Sequence, residues 1–134
     1  MTDIEACGKR TARRFILIAV TYLLVGGALG VYMGATHAFQ FAPVHAHINL
    51  LGWASMALAG LIYDRFPLAG GSRLGTLHFW MHNLVLPLAM ITLFASIAGA
   101  AVPDAVMAVL AILMWLTLLC FAVNLYLNVK RSVA

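Results

Sequence analysis

The chain has 134 residues, of which 64% are hydrophobic and only 9% charged, against roughly 25% charged in an ordinary soluble domain. Mean hydropathy is +1.00, and residues 15–63, 74–103 and 105–129 contain no Asp, Glu, Lys or Arg. A soluble enzyme, a disordered chain and a sizeable extramembrane domain are thereby excluded.

About 20 apolar residues cross the hydrocarbon layer as a helix, so the first charge-free window, 49 residues long, holds two spans, and those of 30 and 25 residues hold one each. The first span is expected over residues 15–33, followed by a short connection from Gly34 to Phe41. Pro43 suits the first turn of the next helix, where its missing N–H costs nothing, and that second span runs over 42–63. The Pro and Gly content of residues 64–73 predicts a turn. The third span covers 74–97, Gly99 to Pro103 breaks the chain, and Asp104 is placed to cap a fourth span over 104–128. The expected fold is a single all-α membrane domain over 1–134, an up-down-up-down four-helix bundle.

The charges set direction. The eight bases are Lys9, Arg10, Arg13, Arg14, Arg65, Arg73, Lys130 and Arg131, and all fall on one side of a four-span chain. Both termini are therefore expected in the cytoplasm. The basic leader before an apolar stretch imitates a secretory signal, but the stretch exceeds the usual ~7–15 residues, so an uncleaved span is expected. A pI near 9.5 does not predict nucleic-acid binding, because the bases flank apolar windows and serve topology and headgroup contact. Cys7 in the polar leader and Cys120 inside a span are not expected to pair.

With charges excluded, the histidines and amides carry the information, since ionisable groups at membrane depth are rare and usually functional. His45, Asn49, Gly52, Met56, Gly60 and Tyr63 share one face of the second span at three- and four-residue steps. His47 lies about 200° around from His45. On the third span His78, His82, Val85, Ala89, Thr92 and Ser96 form a similar stripe, as do Thr117, Cys120, Asn124 and Asn128 on the fourth. Gly26, Gly30 and Gly34 form a small-xxx-small pattern that lets backbones approach. At 1.5 Å per residue His45 and His82 differ by about 14 Å in depth, too far to share one ion or one haem. Two sites at different depths follow: an outer one from His45, with His37, His47 or Met33, and an inner one from His78 and His82. The i, i+4 pair suits chelation of one ion, proton handling near neutral pH, or hydrogen bonds across the bundle. No Cys-x-x-Cys-His occurs, so covalent c-type haem is excluded. No nucleophile motif or carboxylate pair is present.

The run Ala42–Pro43–Val44–His45–Ala46–His47–Ile48–Asn49–Leu50–Leu51–Gly52 resembles the second helix of haem–copper oxidase subunit I. It is most similar to the cbb3-type oxidase and nitric oxide reductase branch. There a Val-His-x-Asn-type motif supplies an axial ligand to low-spin haem b; His45 falls on that histidine and His47 on the Asn position. The run Leu77–His78–Phe79–Trp80–Met81–His82–Asn83 is similar to the start of the family's third helix. The resemblance covers residues 15–98, and the chain looks like the small four-span proteins classed as subunit I-like. Later helices that supply the family's remaining haem and metal ligands are missing here, as are outer arginines for haem propionates. Oxygen or nitric oxide reduction is therefore not implied.

The resemblance implies a small b-type cytochrome-like protein of the bacterial inner membrane, binding haem b through His45 for electron transfer or diatomic gas sensing. Met33, His37, Met107 or His45 of a second copy would supply the other axial ligand, and a two-fold dimer provides the last by symmetry. His78 and His82 would be a second ligand pair or a proton-handling pair. Two other functions fit the same residues. One is copper or zinc binding by His37, His45 and His47 outside and His78 with His82 inside, since imidazole suits several metals. The other is an accessory subunit packing its glycine face on a respiratory complex. The lipid bilayer is the expected surrounding, and a homo-oligomer, dimer or trimer, is expected from the polar stripe on every span.

Overall fold

The computed structural model describes residues 2–129, and every regular element among them is helical. Among the described residues four helices are long and apolar enough to cross a membrane: Asp3–Thr36, Phe39–Arg65, Arg73–Ile97 and Asp104–Asn128. The expected all-α four-helix bundle is observed. Lys130 and Arg131, two of the eight bases, lie outside the described residues.

Helix α1 (Asp3–Thr36) starts well before the expected Phe15. The polar leader continues the helix because Thr2 and Glu5 form a capping box: the Thr2 hydroxyl accepts from the Glu5 N–H at 3.3 Å, and the Glu5 carboxylate accepts from the Thr2 N–H at 2.7 Å. These bonds, the one from the Thr2 backbone foremost, hold the Glu5 carboxyl below its ordinary pKa. Its 34 residues make a rod of about 51 Å, so the first turns project beyond a hydrocarbon layer of about 30 Å. Lys9 in that projection donates to the Asp64 carbonyl at 2.7 Å and its carboxylate at 2.9 Å. Both side chains are exposed, so the pair contributes at most about 1 kcal/mol. His37, at φ 57°, ends α1 in the left-handed region, an uncommon place for a residue with a Cβ.

The second span is one helical rod with three winding patterns. After a 3-10 turn (Phe39–Phe41) come α2 (Ala42–His47), a π-helix (Ile48–Ser55) and α3 (Met56–Arg65). Pro43 sits in the first turn of α2 as expected. The segment expected as a plain turn holds a one-turn helix, α4 (Pro67–Gly70). Ser72 caps α5 (Arg73–Ile97) by accepting from the Gly75 N–H at 2.9 Å. Pro87 lies inside α5, where the missing N–H takes a ladder bond from the Asn83 carbonyl, a loss that spanning helices tolerate. Pro103, not Asp104, is the N-cap of α6 (Asp104–Asn128). Asp104 sits within the first turn, where its charge complements the helix dipole.

Helix α1 packs along α3, the π-helix and α4, and α5 packs along α6. The molecule is thus two helical pairs meeting mainly through side chains. Phe15 of α1 is the junction, with ring centroids 5.0 Å from His78, 5.2 Å from Phe79 and 5.8 Å from Tyr63. Near the opposite end Phe41 stacks on Phe94 at 4.4 Å. Even the best-covered span has only 33% of its most apolar window buried, which leaves wide faces to lipid.

The glycine pattern on α1 does something more local than helix pairing. A Cβ on Gly26 would lie 2.6 Å from the Asn49 side-chain nitrogen, and one on Gly30 would lie 2.9 Å from His45 Cε1. Each glycine is a notch for one polar side chain of the second span, whereas a Cβ on Gly34 would meet nothing within 4 Å.

Candidate functional site

The polar residues of the last three spans converge on a buried chain of hydrogen bonds. His78 and His82, one turn apart on α5, are each 1% exposed, and Tyr63 and Asn124 are fully buried. The Tyr63 hydroxyl lies 3.0 Å from His78 Nδ1, His78 Nε2 lies 3.3 Å from His82 Nδ1, and His82 Nε2 lies 3.0 Å from the Leu51 carbonyl. Asn124 Nδ2 reaches the Tyr63 oxygen and the Ala69 carbonyl, both at 3.0 Å. Asn124 Oδ1 accepts from Ser72 Oγ at 2.7 Å and from Asn128 Nδ2 at 2.8 Å.

The two ends of this chain dictate where its hydrogens are. A carbonyl only accepts, so His82 Nε2 must carry a proton towards Leu51, which leaves Nδ1 as the acceptor in a neutral ring. His78 then donates from Nε2 to His82 and accepts at Nδ1 from the Tyr63 hydroxyl. Tyr63 in turn accepts from the Asn124 amide. Every link runs the same way, both imidazoles are neutral, and each is the Nε2–H tautomer. Burying these groups costs little only because they are satisfied. Among the described residues no buried side-chain nitrogen or oxygen lacks a partner.

The site is wound into place by local features of three spans. The i, i+4 spacing of His78 and His82 puts both rings on one face of α5, as expected. Tyr63 comes from the last turn of α3 and Asn124 from α6. The π-helix presents the Leu51 carbonyl to His82; π segments recur at functional sites. Phe15 and Phe121 lie against the His78 ring, at 5.0 Å and 4.8 Å, and hold it upright between them. All four ring nitrogens of the pair are engaged, so His78 and His82 are not an open chelate in this arrangement. Among the described residues no three His, Cys, Asp or Glu side chains gather as a metal site.

The outer histidines go to three different places. His37 stands exposed in the connection, its ring 6.0 Å from Phe39. His45 turns to α1, with Nδ1 at 2.9 Å from the Gly26 carbonyl. Because that carbonyl only accepts, Nδ1 carries the proton and Nε2 keeps its lone pair; the Asn49 amide nitrogen lies 3.5 Å from both ring nitrogens. His47 points the other way, as the 200° separation predicted. It bonds the Pro43 carbonyl at 2.7 Å through Nδ1 and lines a cleft of about 380 Å³ between the second span, α5 and α6. Leu51, Leu86, Met90, Met107 and Met114 line the same cleft. Cys7 and Cys120 are both free thiols.

Sequence reasoning placed Tyr63 and Asn124 on polar faces without joining them to the histidines. The Asn124–Asn128 spacing was the available signal. The Leu51 carbonyl had none, because its role depends on backbone winding. No protein-family model, curated protein or solved structure matches this chain, so the likeness to haem–copper oxidase subunit I rests on the two motifs alone.

Proposed function

We propose that the protein is a small b-type cytochrome-like membrane protein in which His45 ligates haem through Nε2, for electron transfer or diatomic gas sensing. One observation carries this reading. The Gly26 carbonyl holds the His45 ring by Nδ1, the outer-shell arrangement that orients a metal-ligating imidazole, and the contact at Nε2 that iron would replace is a long one, the Asn49 amide at 3.5 Å. Gly30 clears the space under the ring, and the ring is only half-buried. Haem held there supplies one-electron chemistry or an iron that binds a small gas.

Three other ligand candidates lie within one chain. Met33 is buried in α1, His37 is exposed in the connection, and Met107 lines the cleft on the far side of the second span. His45 of a second copy, brought by a two-fold axis, completes the pair. The donor set therefore favours one haem shared by two chains. The described bases, Lys9 to Arg14 with Arg65 and Arg73, gather at the end carrying the termini, which supports cytoplasmic termini in a bacterial inner membrane.

Absorption spectra of protein purified after expression with ample haem test this directly. The expected result is a Soret band with a reduced-minus-oxidised difference, one haem per two chains, and loss of the band in His45→Ala. A protein without a Soret band, or an unchanged spectrum in His45→Ala, overturns ligation by His45.

A further inference from the structure

We propose that His47, Met90 and Met114 bind a copper(I) ion in the cleft between the second span, α5 and α6. All three side chains line that cleft. His47 Nδ1 lies 2.7 Å from the Pro43 carbonyl; a carbonyl only accepts, so Nδ1 carries the proton and Nε2 of the neutral ring keeps its lone pair. A bond from the second ring nitrogen to a backbone carbonyl is what orients a metal-ligating histidine. Heights along the bundle bring the three residues together. Phe41 stacks on Phe94 at 4.4 Å, which levels the second span against α5. At 1.5 Å per residue His47 lies about 9 Å inward of Phe41, and Met90 about 6 Å inward of Phe94. Counted from the connection that joins α5 (ending at Ile97) to α6 (starting at Asp104), Met90 and Met114 lie about 10 and 15 Å deep. His47 falls between them, so the three positions differ by only about 5 Å in height. Methionine, unbranched and with three rotatable bonds, can carry its sulfur across such a difference.

The donor set selects the ion. Thioether sulfur is soft and favours copper(I). Two thioethers and an imidazole are neutral, and among the described residues no carboxylate or thiol lines the cleft. A divalent ion would bring two uncompensated charges to membrane depth, where charge is expensive; copper(I) brings one. The way in is marked as well. Met107 lines the same cleft from the first turn of α6, and Asp104 lies one turn before it on the same face. Asp104 is exposed. Among the described residues it is the one acid at that end of the bundle, and no Lys or Arg accompanies it, since Asp3, Glu5, Asp64 and the described bases lie at the end that carries the N-terminus. An unopposed negative charge at the mouth of a low-dielectric cleft raises the local concentration of cations. Met107 is then the first sulfur on the path from Asp104 to the three ligands. A cleft wall that served packing alone would need neither the sulfurs nor the imidazole lone pair.

The test uses the full chain, purified free of haem so that its failure is separate from that of the His45 site. Cys7→Ser removes the exposed thiol from competition. Copper(I), kept reduced under anaerobic conditions, is titrated in the presence of a chromogenic copper(I) chelator, and one ion per chain is expected. Met90→Leu and Met114→Leu conserve volume and are tolerated by a packed core. Each should weaken binding about tenfold or more, at least the loss that follows removal of a supporting residue around a metal. His47→Ala, at an exposed position, should do the same. Met81→Leu, on α5 but outside the cleft, should bind as the parent does. Copper X-ray absorption of the loaded parent gives a second reading that needs no ligand variant, with sulfur and imidazole nitrogen expected as nearest neighbours. No bound copper(I), unchanged affinity in Met90→Leu and Met114→Leu, or a set of nearest neighbours without sulfur overturns the site.

Discussion

Two residues apart on one helix, His45 and His47 have different fates. His45 faces a glycine notch on α1 and His47 faces the cleft, because two helical steps carry a side chain to the opposite side of the rod. At the other end of the bundle, Asn124 is the residue on which the polar chain depends most. It feeds Tyr63 and Ala69 and receives from Ser72 and Asn128. Asn124→Leu keeps much of the volume but removes all four bonds, while the Ser72 hydroxyl and the Ala69 carbonyl keep their own bond at 2.8 Å. A loss of about 0.5–1.5 kcal/mol is expected for each buried hydrogen bond removed. Unfolding in mixed detergent micelles, followed by circular dichroism, measures it. The histidine pair was legible from spacing alone. Its partners were not, because a tyrosine and an asparagine on separate polar stripes carry no mark of which stripe they will face.

Among the elements, α1 and the second span show how far local signals reach. The capping box at Thr2 and Glu5 was present in the sequence, yet the charges of the leader suggested a chain outside the helix. What extends α1 to Asp3 is the box together with contacts to α4, where a Cβ on Gly8 would collide with the Pro67 carbonyl. That collision is with backbone and cannot be relieved by a side-chain rotation. Gly8→Ala should therefore cost about 1–3 kcal/mol as overpacking. Gly27→Ala, with nothing within 4 Å of the added carbon, should be neutral or stabilise by up to about 1 kcal/mol. Thermal unfolding of the two variants in detergent tells these apart; equal effects would mean that α4 does not sit on α1. The π-helix is the element that periodicity could not supply, since its residues look like an ordinary apolar turn around Gly52.

For the whole molecule, the charge pattern predicts an orientation that can be checked in cells. A fluorescent reporter fused after Ala134 should be active and a periplasmic phosphatase at the same place inactive; the reverse would place the termini outside. The two helical pairs meet through Phe15, the histidine network and the Phe41–Phe94 stack, so the polar chain is also what crosses the seam between them. The number of spans follows from the amino-acid sequence alone, because the free energy of taking charge into hydrocarbon depends on composition and hardly on partners. Sequence also put His78 and His82 on one face, because helical spacing is a local property. Tertiary structure decided the rest: that Gly26 and Gly30 receive Asn49 and His45, that His45 and His47 face different neighbours, and that Tyr63, Asn124 and the Leu51 carbonyl close the chain. A hydrogen bond needs its two groups about 3 Å apart, and for groups on different helices only the packing of those helices sets that distance.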